Sequence, residues 1–441
     1  VYAWNTVGAI AGSLGAGFWL LPGLGFEGMF SLAIGANLAL ALAAAALGPP
    51  RRILVAVPAI LAALALFLLP LQPPWHLLKS SPLDPAQAAD SRVEHHAVGR
   101  TSTVMLLDRG QRYQLTTGGL PESWIDPKGM LPHVAVAQWL AALPAMLRPE
   151  TRSLLVIGLG GGAMLELATK TYESIDVVEL EPEVLAANQR MSARRARDPL
   201  ADPRTRVVIG DARGALQLLG GRYDAIVSQP SHPWTAGASH LYTKEFFELV
   251  RSRLAPDGVF VQWVGIRFVD EELLGSLLAA LLEAFPNVHV FRPQPRGLLF
   301  AASETPIDVL AAFRAAQEAA PADWARHGIH RVEDFASAWA LDEEGVRALA
   351  RDAPANSDDH NHLASRSATL GDDSLDPKRV RQLLDPHDPL RDSQQLDRSA
   401  LVRSLIQRGQ SERAIDIAMT GEGAEEEAAL GWVELSAGRS G

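Results

Sequence analysis

Residues 154–162 read Leu-Leu-Val-Ile-Gly-Leu-Gly-Gly-Gly. A short apolar run that ends abruptly in glycines is a buried strand turning tightly into a helix. Glycine has no Cβ, so the backbone after such a strand can approach a ligand closely. The pattern then repeats. Apolar strands are predicted at 175–180, 206–209, 223–228 and 259–264, with helical stretches such as 183–192 between them, and 288–291 and 298–302 read as an antiparallel closing pair. Strands alternating with helices imply an α/β, Rossmann-like, doubly wound parallel sheet. Ligands in such sheets lie beyond the carboxyl ends of the strands, where the strand order reverses.

Three features of the strand ends carry chemistry. The glycines Gly158, Gly160, Gly161 and Gly162 open the backbone. Glu179 lies 21 residues after Gly158 at the end of the next strand, where a carboxylate accepts hydrogen bonds from both ribose hydroxyls. Asp211 follows Gly210 at the end of the third strand. It suits an adenine amino group, and it also suits the N-cap of a helix over 212–219. Together they describe an adenosine pocket of the S-adenosylmethionine type, in which no pyrophosphate is needed.

Upstream the chain changes character. Residues 1–78 contain three charged side chains, Glu27, Arg51 and Arg52. Apolar runs cover 5–24, 28–47 and 53–71, each about long enough to cross a hydrocarbon core of ~30 Å as a helix. The expectation for 1–78 is therefore about three transmembrane helices, a fragment of a larger membrane domain entered at Val1. The expected location is a bacterial inner membrane, with the side of the soluble part left open, because two arginines between spans are a small topological signal. Residues 90–128 alternate as strands about the turn Asp108-Arg109-Gly110 and read as a small β-rich domain. Residues 130–147 read as an amphipathic helix with Val134, Trp139, Leu140 and Leu143 on its apolar side.

The stretches LLVIGLGGG, IDVVELEPEVL, RVVIGDAR, YDAIVSQPSHPW and LYTKEFFELVRSRLAPDGVFVQWV resemble the spermidine synthase family of polyamine aminopropyltransferases, within the class I methyltransferase superfamily. The head is similar to membrane proteins that carry a spermidine-synthase-like domain after a transporter-like region. The resemblance covers about residues 1–370. It implies a nucleoside-binding unit over 129–303 and decarboxylated S-adenosylmethionine, or S-adenosylmethionine, as co-substrate. It also locates departures. The family's glycine-loop Asp, which holds the aminopropyl end of the donor, is here Gly161. The family's Asp-Ser-Ser-Asp-Pro run, whose first Asp helps deprotonate the amine, is here Gln229-Pro230-Ser231-His232-Pro233. An acidic residue on the preceding helix is here Gln138, and the family's Tyr and His before it are Val136 and Ala137.

Putrescine is a dication at pH 7, and desolvating an ammonium without a carboxylate is unfavourable. The acceptor is therefore expected to differ from ordinary putrescine. His232, with a reference pKa near ~6.5, is the candidate base, and Gln229 a positioning group. Gln138, Trp234 and Tyr242 are expected to line the acceptor pocket. Methyl transfer from S-adenosylmethionine, and a non-catalytic nucleoside- or polyamine-sensing module coupled to a transporter, remain open alternatives.

Residues 304–370 read as a helical extension, 371–398 as a linker and 399–441 as a helical pair, faintly tetratricopeptide-like, open to a homodimer or a protein partner. The chain has 40 basic and 51 acidic residues, and the whole net charge of -11 falls after residue 303. That excludes a nucleic-acid binder relying on a global basic field. With no cysteine there is no disulfide or thiolate chemistry. Asp358, Asp359, His360 and His362 cluster, but a polar loop of this kind is more simply a turn and cap set, so no metal is expected.

Overall fold

The computed structural model describes residues 2–47, 57, 60, 61, 63–65, 68, 73, 75–81, 91–130, 136–235, 237–420 and 424–436. The chain divides into two units, residues 1–125 with 181–187, and residues 126–180 with 188–441.

The first unit opens with helix Tyr2–Gly15, a π-helical turn Ala16–Leu20 and helix Leu21–Leu47. Among the described residues, 3–44 is the one helical stretch long and apolar enough to cross a membrane. At ~1.5 Å per residue it is about twice as long as a ~30 Å hydrocarbon core requires. It breaks at Gly25, whose φ of 67° lies in the left-handed region, between the two expected runs. Its large apolar side chains are uncovered: Trp4 is 80%, Trp19 72% and Leu40 69% exposed. The third expected run, 53–71, falls largely outside the described residues.

The same unit contains a four-stranded antiparallel meander, β1 (Arg92–Val98), β2 (Thr103–Asp108), β3 (Tyr113–Thr117) and β4 (Leu120–Ile125). The expected turn at 108–110 is present, with the Gly110 N–H donating to Asp108 Oδ1 at 2.8 Å. Gly118 and Gly119 both have positive φ and close the β3–β4 hairpin, as two-residue connections of this hand require. Glu181 accepts hydrogen bonds from Thr101 N (2.9 Å) and Thr101 Oγ1 (2.8 Å) and so holds the β1–β2 loop.

The second unit is built on an eight-stranded sheet of order β12-β10-β11-β9-β8-β5-β6-β7. Its strands are β5 (Ser153–Ile157), β6 (Ser174–Glu179), β7 (Thr205–Ile209), β8 (Tyr223–Ser228), β9 (Leu254–Gly265), β10 (Asn287–Gln294), β11 (Gly297–Ser303) and β12 (Trp339–Leu341). β5 to β9 run parallel and β11 enters antiparallel between β9 and β10. The order reverses at β5, which pairs with β6 on one side and β8 on the other. This is a Rossmann-like α/β sheet. One core cluster joins Leu155, Ile157 and Phe260 of the sheet to Phe246 and Phe247 of helix Lys244–Arg253 and Leu277 of helix Glu271–Ala284. Each such buried side chain contributes about 1.5–3 kcal/mol.

Four expectations are corrected. The described helix before β5 is Val136–Leu147, and it is buried all round from Gln138 to Leu147, not on one side. Val134 lies outside the described residues. The extension 304–370 is not wholly helical, because Trp339–Leu341 adds β12 to the sheet edge. Residues 371–398 are not a bare linker: helix Pro377–Leu384 puts Val380 and Leu384 into the main core. Finally, the described residues of the tail hold three helices, Arg398–Gln407, Ser411–Ala418 and Ala424–Ser436. They share a cluster with Leu310 and Ala336.

Candidate active site

The reversal at β5 brings two loops together. Gln229 N–H donates to Ile157 O at 3.1 Å. A Cβ on Gly158 would lie 2.8 Å from the Gln229 carbonyl oxygen, and Gly158 has a φ of 95°. Only glycine meets both demands.

On one side of this junction the glycine loop is held from behind. Asn188 Nδ2 donates to Gly160 O (2.7 Å) and Arg195 Nη2 to Gly161 O (2.7 Å). Arg195 also binds Asn188 Oδ1 (2.9 Å) and the Glu166 carboxylate (2.5 Å). The Arg195 side chain is 0% and that of Glu166 4% exposed, so this ion pair is fully desolvated. Gly162, with a φ of 76°, has Pro199 Cγ 2.8 Å from where a Cβ would sit. With two loop carbonyls engaged, the loop has a fixed shape. Glu179 is buried and accepts from the Leu159 N–H at 2.9 Å, and the Gly210 N–H donates to its carbonyl at 2.9 Å. Gly158–Gly162, Glu179 and Gly210-Asp211 therefore form one continuous edge at the carboxyl ends of β5, β6 and β7. Asp211 caps helix Ala212–Leu218 through the Gly214 N–H at 2.7 Å, so the capping role is realised on an exposed residue at the expected strand end. Leu180 and Ile209, 44% and 43% exposed, place apolar surface on this edge suited to the face of a base.

On the other side, beyond β8 and β9, lies an aromatic group. The His232 ring is 5.2 Å from Trp234 and 5.1 Å from Phe268, and Phe268 is 5.3 Å from Trp234 and 5.7 Å from Trp263. His232 is 7% exposed, while Gln229 and Trp234 are half-buried. Tyr242, expected on the pocket wall, is instead a core residue, 0% exposed, with its hydroxyl donating to Trp263 O at 3.2 Å. Gln138 is 2% exposed within its buried helix.

The Asn356-Ser357-Asp358-Asp359 run is a strut. Asn356 Nδ2 donates to Tyr242 O (2.9 Å) and its carbonyl accepts from Lys244 N (2.9 Å). Asp358 accepts two 2.7 Å hydrogen bonds from Arg213 and one of 2.8 Å from Thr243 Oγ1. Arg213 holds the Asp358 carboxyl down at about 2. Among the described residues no group of three or more His, Asp or Glu is placed to hold a metal ion.

Residues 133–292 match the family model of the spermine/spermidine synthase domain. The central region is spermidine synthase-like. It is 38% identical over 117 residues to a polyamine aminopropyltransferase of a Synechococcus species, covering 26% of this chain and 38% of that protein. It is 31% identical over 137 residues to the polyamine aminopropyltransferase of Shigella boydii, covering 31% of this chain and 47% of that one. The chain thus spans less than half the length of these curated relatives. The spermidine synthase structure from Thermotoga maritima gives a TM-score of 0.45 at 18% identity, over 67% of this chain and 88% of that chain.

The structure brings the glycines, Glu179 and Asp211 onto one edge, and Gln229, His232 and Trp234 onto the neighbouring one. Sequence reading missed the scaffold Glu166, Asn188 and Arg195, and the rings Trp263 and Phe268. Arg195 was hidden in the run Ser192-Ala193-Arg194-Arg195-Ala196-Arg197, which has the composition of a solvated surface. Trp263 carried a usable signal, since it stands one residue from the end of the expected fifth strand.

Proposed function

We propose that this chain binds an adenosyl-sulfonium donor, decarboxylated S-adenosylmethionine or a relative, and transfers a group from it to an acceptor other than ordinary putrescine. One observation supports the reading: Gly158–Gly162, Glu179 and Asp211 share the carboxyl edge of β5–β7, while the loop after β8 carries Gln229 and His232 and is backed by aromatic rings. The lone pair of the acceptor attacks the methylene beside the sulfonium. The carbon–sulfur bond breaks, its electrons return to sulfur as a neutral thioether, and the proton of the nucleophile leaves to His232 or water. Rate then comes from in-line positioning and from loss of the sulfonium charge in a water-poor site. An aromatic wall favours an acceptor with apolar character or a single positive charge, because rings stabilise a cation without a carboxylate. Methyl transfer from intact S-adenosylmethionine is the second reading, favoured by Gly161 at the position of the family's aminopropyl-holding Asp. The exposed apolar stretch 3–44 supports a membrane anchor for the enzyme.

The test is mass spectrometry of the full chain in detergent with each donor and an amine panel. Product from a monoamine or an apolar amine, with little from putrescine, supports the proposal. Aminopropylated putrescine at ordinary turnover refutes the acceptor assignment. Donor binding with no product from any acceptor refutes catalysis.

A further inference from the structure

A cavity of about 170 Å³ lies between β10, helix Pro377–Leu384 and the start of helix Ser411–Ala418. It is built largely from chain beyond residue 292, where the spermine/spermidine synthase match ends. Three arginines line it: Arg292, Arg381 and Arg413.

Their partners are unequal. Arg413 is paired with Asp388 through contacts of 2.6 and 2.7 Å and gives further hydrogen bonds to Ser337 O and Trp339 O. Arg381 is shared between Glu412 at 2.5 Å and Asp385 at 3.8 Å, and its Nε has no partner. Arg292 is 7% exposed. Its Nη2 reaches two carbonyls, Pro295 O and Pro377 O, each at 3.2 Å, and its buried Nε has no partner. Among the described residues no carboxylate lies within ion-pair distance of Arg292. The helix that starts beside it, at Ser411, has no side-chain cap, so its first N–H groups and the positive end of its dipole also border the cavity.

A buried cation without a counter-charge is unfavourable. Burial, with Arg413 and Arg381 nearby, pulls the Arg292 guanidinium down to about 10. Asp385 offsets it only in part, because it lies against Arg381, at 3.8 Å, and not within ion-pair distance of Arg292. The groups facing the cavity pair off as Arg413 with Asp388 and Arg381 with Glu412. Arg292 is left with Asp385, and Asp416 adds a more distant negative field at Asp385.

We propose that this cavity is a binding site for a compact oxyanion, a phosphate or carboxylate group held by Arg292, Arg381 and the N-terminus of helix Ser411–Ala418. Planar guanidinium forks match both anions. The bound anion ties β10 to helix Pro377–Leu384 and to the tail helix Ser411–Ala418, which gives the tail a ligand-dependent attachment to the sheet.

The experiment is thermal denaturation of the full chain in detergent against inorganic phosphate and, separately, acetate, with chloride holding ionic strength fixed. A saturable rise in Tm is expected with at least one probe, and the responding probe identifies the anion class. Arg292→Gln weakens the apparent affinity about tenfold, the loss of one charge-assisted contact. Glu412→Gln, on a largely exposed side chain, tightens it by removing a competing carboxylate. If Arg292→Gln does not fold, Glu412→Gln decides: tighter binding supports the site and unchanged binding overturns it. A linear, unsaturable shift that is equal in wild type and both variants is an excluded-salt effect and overturns the proposal.

Discussion

Breaking the Glu166–Arg195 pair should damage both the stability of the second unit and the shape of the glycine loop. The pair is separated by 2.5 Å and almost wholly removed from solvent. Removing one member of such a pair costs about 3–5 kcal/mol, because the other is left charged and buried. Glu166→Gln keeps an acceptor for Arg195 and falls near the lower bound. Arg195→Met also removes the hydrogen bonds to Gly161 O and Asn188 Oδ1, each about 1 kcal/mol, and falls near the upper bound. The double variant leaves no orphaned charge, so it is less damaged than the sum of the singles by about 2 kcal/mol. Urea unfolding of the full chain in detergent reads this as a midpoint shift of about 1 M or more for each single at unchanged slope. Adenosyl-donor affinity should fall most in Arg195→Met, which frees the Gly161 carbonyl. Singles that each cost under about 1 kcal/mol, or that add to within about 0.5 kcal/mol, would refute the reasoning.

Two further outcomes follow from the site. Gly158→Ala places a methyl 2.8 Å from Gln229 O at a φ of 95° and should cost about 1–3 kcal/mol. Gly210→Ala meets no atom within 4 Å and should leave Tm unchanged, so equal Tm values for the two variants would contradict the packing described at β5. Asp358 has its carboxyl held near 2 by Arg213, below the 3.8 of an unfolded chain. The unfolded state then binds more protons between those values, and the stabilisation from Asp358, present above about 4, is lost as pH falls toward 2. Asp358→Asn should lower stability at pH 7 and flatten that acid limb, as denaturant midpoints across the range will show.

Much of the β5–β7 edge was legible because its signals are local. A four-residue apolar strand, a run of glycines and an acid 21 residues on are each set by backbone geometry within one βαβ step. The aromatic wall was half legible: Trp234 stands in the altered loop itself, while Trp263 and Phe268 come from the next strand and the turn after it. Arg195 was not legible, because nothing local distinguishes a buried arginine from its solvated neighbours Arg194 and Arg197. Its burial depends on Glu166, 29 residues earlier. The tail failed for a related reason. Asp376-Pro377 reads as a chain break, yet Asp376 accepts from the N–H groups of Lys378 and Arg379 and Pro377 takes the first helical position, so the same residues start a helix. Three residues at Trp339–Leu341 are too few to show a strand period, and only pairing with β10 makes them one.

Calorimetric titration of the full chain in detergent with decarboxylated S-adenosylmethionine, wild type against Glu179→Gln, tests the nucleoside edge most directly. Glu179→Gln keeps the size of the side chain and an acceptor for the Leu159 N–H, but loses the charge offered to the ribose diol. Saturable binding by wild type is expected, with affinity reduced about tenfold or more in the variant at unchanged circular dichroism. Equal affinities in the two proteins, or no saturable binding in wild type, would contradict the assignment of β5–β7 as an adenosyl-sulfonium site.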